Sequence, residues 1–115
     1  MTVLTPTPFP LPERPSEVVC FDRQEFGVIF SVYGKMVSAG EWRDYALATL
    51  REMAVFSIFR RTAEMPLYRV EKRPSLRSKQ GMYAVVGMDG RILRRGHDLM
   101  QVLRVLEAKS VRVIE

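Results

Sequence analysis

At 115 residues and 13.3 kDa the chain has room for one folded domain, and 47% apolar with 27% charged residues is an ordinary globular balance. Its apolar runs are only a few residues long, far below the ~20 that a bilayer span needs, so no membrane partner is expected. One cysteine, Cys20, and one histidine, His97, exclude an intramolecular disulfide, a cysteine-built zinc cage and a His-pair metal site. Small secreted domains lean on disulfides, so the expected compartment is the cytoplasm.

The net charge of +5 is unevenly spread. Residues 60–95 hold ten Lys/Arg against three Asp/Glu, a local +7, and the remainder carries −2. Such asymmetry points to an anionic partner, nucleic acid or an acidic protein surface.

Taken in chain order, residues 1–16 alternate proline with other residues around Phe9 and Leu11. Proline fixes its own φ and extends its predecessor, which predicts a disordered polyproline-II-like tail and no secretory signal. The domain is expected over residues 17–115. Residues 18–21 (VVCF) predict a short strand with Cys20 buried in it. Asp22 and Glu25 have capping-box spacing, and Phe26, Ile29, Phe30, Tyr33, Met36 and Val37 recur at helical steps before Gly40, a C-terminal stop. A second helix is expected over residues 41–51, carrying Trp42, Tyr45, Ala46 and Leu50.

The period then falls towards two. Residues 55–61 and 67–72 predict one hairpin, and residues 82–86 and 91–94, joined through Asp89-Gly90, predict a second with a tight turn. Asp98 and Gln101 predict a helix to about Lys109, with a final strand over residues 111–114. The expected class is α+β, with an antiparallel sheet of two consecutive hairpins packed on amphipathic helices, in the order β-α-α-β-β-β-β-α.

Chemistry is thinly supplied. His97 precedes a helix cap, Cys20 lies in an apolar run, and the glycines have neither Rossmann nor P-loop spacing. No catalytic residue, metal or cofactor is expected. The basic segment is richer: alternation sets Arg91, Leu93 and Arg95 apart from Ile92 and Arg94 and predicts a sheet face carrying Arg60, Arg69, Arg91 and Arg95, with Phe59 or Tyr83 as stacking platforms; Arg61, Arg73 and Arg94 complete the expected polyanion-binding set. Arginine and aromatics on an antiparallel sheet suit single-stranded nucleic acid. As exposed charges, Arg60, Arg69, Arg91 and Arg95 are expected to matter little for stability.

Residues 38–46 (SAGEWRDYA), 55–61 (VFSIFRR), 66–74 (PLYRVEKRP), 80–87 (QGMYAVVG) and 95–107 (RGHDLMQVLRVLE) together resemble an alphaproteobacterial family catalogued as domain of unknown function 2794. The resemblance implies a small bacterial cytoplasmic protein and supplies no site residues. The reading that follows is a non-enzymatic binding or regulatory domain with a basic sheet face for an acidic partner, nucleic acid first. The alternative is a protein–protein adaptor or a homodimeric structural domain.

Overall fold

The computed structural model describes residues 18–61 and 65–114, without the side chains of residues 108–114. The proline-alternating segment and residues 62–64, inside the first expected hairpin loop, lie outside the described residues.

Helix α1 (Arg23–Ser38) begins as the spacing predicts. Asp22 accepts from the Glu25 N–H and Glu25 accepts from the Asp22 N–H, both at 2.8 Å, so two orphan donors are satisfied reciprocally. It ends in a Schellman motif, in which Gly40 donates to the Val37 carbonyl and Glu41 to that of Met36. Gly40 adopts a φ of +81°, which favours glycine.

Five strands follow: β1 (Asp44–Thr49), β2 (Ala54–Phe59), β3 (Tyr68–Lys72), β4 (Tyr83–Gly87) and β5 (Ile92–Gly96). They form an antiparallel meander in sequence order, with a short 3-10 turn (Pro74–Leu76) between β3 and β4. Both expected hairpins are present, and a third pairing, β3 with β4, joins them. Gly90 holds the positive φ of the Asp-Gly turn, and Gly87 N–H donates to the Arg91 carbonyl to close it. Helix α2 (Leu99–Ile114) starts where Asp98 accepts from the N–H groups of Met100 and Gln101.

Three expectations at the element level are corrected. The second helix is instead β1, which pairs with β2 over six residues from Asp44↔Phe59 to Thr49↔Ala54. The final strand does not form, because α2 runs through to Ile114, where a helix supplies its own backbone partners and a strand would need a neighbour. Residues 18–21 lie outside regular structure, with a bend at Val18. Their backbone makes one bond to the sheet's hairpin, from the Val19 N–H to the Leu50 carbonyl. There Phe21 is buried, whereas Cys20 is exposed, contrary to expectation. Phe21 joins the core against Phe26, at a ring-centroid distance of 5.7 Å, and its neighbour Cys20 is left outside.

The order is thus α-β-β-β-β-β-α. Both helices pack on one sheet face, α1 through Phe30 against Phe56 and α2 chiefly against β4 and β5. The core between them collects Ile29, Phe56, Ile58, Val70, Val85 and Leu103, each nearly or wholly inaccessible. Fully burying one such side chain is worth about 1.5–3 kcal/mol. No described helix is long and apolar enough to cross a membrane.

Candidate functional site

The sheet's outer face has no described helix on it, and its side chains follow from register. One row across the strands reads Ala48, Val55, Glu71, Ala84, Arg95. The next reads Ala46, Ser57, Arg69, Val86, Ile92. Arg69 and Arg73 are two residues to either side of Glu71, so period-two alternation places all three on the same face. Glu71 is 7% exposed, and it accepts from Arg69 Nη2 at 3.5 Å and from Arg73 Nε at 3.4 Å. Arg95 donates to the Gly81 carbonyl at 3.3 Å. Three guanidinium groups therefore share a face with the buried carboxylate of Glu71, and Asp44, opposite Phe59, stands at the far end of that face.

The other expected arginines fall elsewhere. Arg60 and Arg61 follow β2 at one end of the sheet, bordering a hollow with Met65, Leu67 and Met88. Arg91 belongs to the β4–β5 turn and borders an adjoining cleft of about 610 Å³, again floored by Met65, Leu67 and Met88. Its ion pair with Asp89 is long, 3.9 Å, and exposed. Arg94 stands opposite core-facing Val85 and so is turned to the helix side of the edge strand. The sequence-predicted set is thus split: Arg69, Arg73 and Arg95 share the outer face, Arg60, Arg61 and Arg91 gather at its end, and Arg94 joins neither.

Of the two stacking candidates, Phe59 lies on the outer face, half-buried, opposite Asp44. Tyr83 does not. Its register puts it on the inner face, where it is 7% exposed and its hydroxyl donates to Glu25 Oε2. Burial and that bond hold the phenol pKa above its ordinary value, since ionising it would set a second charge beside the carboxylate. Tyr83 is therefore corrected from a stacking platform to a core group.

It belongs to a second polar centre that the sequence did not disclose. Lys72 Nζ donates to Glu25 Oε1 and to the Cys20 carbonyl, each at 2.8 Å. Glu25 is 7% exposed and receives Lys72, Tyr83 and the Asp22 N–H together. The capping spacing found Glu25, but nothing local signals a lysine 47 residues away. A shallow pocket opens beside this centre, lined by Asp22, Tyr83, His97 and Asp98 among others. His97 is exposed at the entry to α2, as its position before the cap predicts. With its oxygens engaged by three donors, Glu25 is a structural tie between α1 and the sheet, not a free base. Among the described residues no group of three or more His, Cys, Asp or Glu is placed to hold a metal ion.

A search of curated proteins and one of solved structures each found no match. The family model described as protein of unknown function (DUF2794) matches residues 19–103. That span takes in α1, all five strands and the first turn of α2, including both polar centres. The chain belongs to the DUF2794 family.

Proposed function

We propose that this is a non-enzymatic binding or regulatory domain of the cytoplasm whose outer sheet face engages an acidic partner, with nucleic acid the leading choice. The observation that carries the reading is the placement of Arg69, Arg73 and Arg95 on one face, the first two sharing the buried carboxylate of Glu71. Each guanidinium offers a planar fork of donors matched to phosphate oxygens. Phe59 adds an aromatic surface to the same face, on which a base can stack. Arg60 and Arg91 extend the positive potential along the end of the sheet, where a flexible anionic strand can follow it.

Fluorescence anisotropy with labelled single- and double-stranded oligonucleotides, at several salt concentrations, tests the reading. Binding should weaken steeply with salt. Arg69→Gln, Arg73→Gln and Arg95→Gln should each flatten the log-affinity against log-salt slope by about one unit or somewhat less. Failure to bind either oligonucleotide more tightly than about millimolar at low salt defeats it, because even non-specific binders do better.

A further inference from the structure

The two edges of the sheet are treated very differently by the sequence. Strand β5 (Ile92–Gly96) carries Arg94 and Arg95 and a register shift opposite Val85/Val86, devices that discourage another strand from pairing with it. Strand β1 (Asp44–Thr49), DYALAT, has neither a bulge along its paired length nor any Lys, Arg or Pro. Its only charge is Asp44 at one end.

The backbone pattern of β1 is equally open. Leu50 N–H donates to the Met53 carbonyl at 2.9 Å. Antiparallel ladders alternate, so Ala48 and Ala46 exchange bonds with Val55 and Ser57, and at the start of the strand the Arg43 N–H donates to the Phe59 carbonyl at 2.9 Å. The N–H and C=O groups of Tyr45, Leu47 and Thr49 then point away from the sheet. Among the described residues only one of them has a protein partner, the Tyr45 N–H, which donates to Asp44 Oδ1 at 2.8 Å.

Beside this edge lies an apolar shelf. On the helix side of β1, Tyr45 and Leu47 are 43% and 46% exposed, and Leu50 at the following turn is 48% exposed. Phe30 and Val37, one stripe along α1, are 38% and 40% exposed. Phe30 meets Tyr45 edge-on at a centroid distance of 5.3 Å, so shelf and edge are continuous. Four of the ten exposed large apolar side chains among the described residues, Phe30, Val37, Tyr45 and Leu47, are in this one place.

We propose that β1 pairs antiparallel with β1 of a second copy, joining two sheets into one of ten strands about a two-fold axis at Leu47. The outward groups match only in such a register: Leu47 bonds its own counterpart, and Tyr45 bonds Thr49 of the other copy. Phe30, Val37, Tyr45 and Leu47 of both copies then meet over the joined strands and lose their contact with water. Charge favours a second copy here. The arginine-rich strands lie toward the opposite edge, so two basic chains approach through their least basic side. The protected β5 edge stops the assembly at two, because pairing of β1 with itself is isologous and leaves only β5 free.

Sedimentation equilibrium of the full chain should give twice the 13.3 kDa of one copy at micromolar concentrations, with little change as salt rises. Leu47→Lys places a charge in the joined face and should raise the dissociation constant roughly tenfold or more. Ile92→Lys, at the opposite edge and 50% exposed, should leave the dimer intact. Circular dichroism establishes that both variants are folded. Amide exchange gives a second reading that needs no variant: the Leu47 and Thr49 amides should be protected at high concentration and lose protection on dilution. One-copy mass throughout the micromolar range, a dimer broken by Ile92→Lys and spared by Leu47→Lys, or fast exchange at Leu47 in a two-copy particle would each overturn the proposal. None of these outcomes depends on whether the outer face binds polyanions.

Discussion

Each face of the sheet holds one buried carboxylate, Glu25 inside and Glu71 outside, and both are 7% exposed. They are satisfied in different ways. Glu25 takes Lys72 at 2.8 Å, the Tyr83 hydroxyl and a backbone N–H, so one positive charge offsets one negative charge within a shell of direct bonds. Glu71 takes two arginines at 3.4 and 3.5 Å whose side chains are 35% and 36% exposed. One carboxylate between two guanidiniums leaves a positive surplus that solvent, or an anion, can reach. Equal burial therefore marks a structural tie on one face and an unfinished electrostatic site on the other.

Breaking the inner centre should have the largest effect. Glu25→Leu removes the capping carboxylate and strands the Lys72 ammonium, whose side chain is only 13% exposed. Leaving such a charge unpaired costs about 3–5 kcal/mol, to be read as a shift in urea midpoint at constant slope. Tyr83→Phe is milder, at about 1.5–3 kcal/mol for a hydrogen bond to a charged group, and it carries a pH signature. The folded phenol pKa lies above its ordinary 10.0. Its contribution is therefore complete below pH 10.0 and lost as pH rises through the folded value. Urea midpoints taken into strongly alkaline conditions should fall less in Tyr83→Phe than in the parent.

The outer centre should respond less, and unevenly. Arg69→Gln with Arg73→Gln leaves Glu71 buried without a cation, at a cost of about 1–3 kcal/mol. Either change alone should cost less than half of that, because the other arginine remains, so a double-mutant cycle should show coupling. Arg60→Gln and Arg91→Gln, at the sheet end, should stay within about 0.5 kcal/mol of the parent. The expectation that Arg60, Arg69, Arg91 and Arg95 leave stability nearly unchanged is thus narrowed to residues away from Glu71, and the same cycle tests it.

What the sequence showed follows the same division between local and distant causes. The Asp22–Glu25 capping box, the Gly40 stop and the Asp89-Gly90 turn are settled within a few residues, and each is found in place. Strand β1 is ambiguous in sequence, because Trp42, Tyr45, Ala46 and Leu50 fit helical spacing while Tyr45, Leu47 and Thr49 also fit a period of two. Alanine and leucine favour helix locally, but six pairings with β2 decide the outcome. Alternation placed Arg69 and Arg73 correctly beside Glu71, since parity along one strand needs no tertiary knowledge. It also separates Arg94 from Arg95, but it separates Ile92 from Arg95 as well, and the register shift opposite Val85/Val86 resets the alternation so that those two share the outer face. Tyr83 faces inward towards a partner 58 residues away, Glu25, which no local pattern signals.

The finest test of the comparison alters binding more than folding. Glu71→Gln keeps the shape of the side chain and most of its acceptor capacity while removing its charge. If the outer face binds phosphates, Arg69 and Arg73 are then released from their shared counter-ion. Oligonucleotide affinity at low salt should rise several-fold, and the log–log salt slope should steepen by up to about one unit. A structural role alone predicts the reverse order, a small loss of stability with no gain in binding. Arg91→Gln, which touches neither Glu71 nor its row, should weaken binding slightly and flatten the slope without affecting the urea midpoint. Opposite signs from Glu71→Gln and Arg91→Gln on the same anisotropy curve would tie the surplus charge of this face to binding. Equal and null effects would reduce Glu71 to a second structural tie, a solvent-facing counterpart of Glu25.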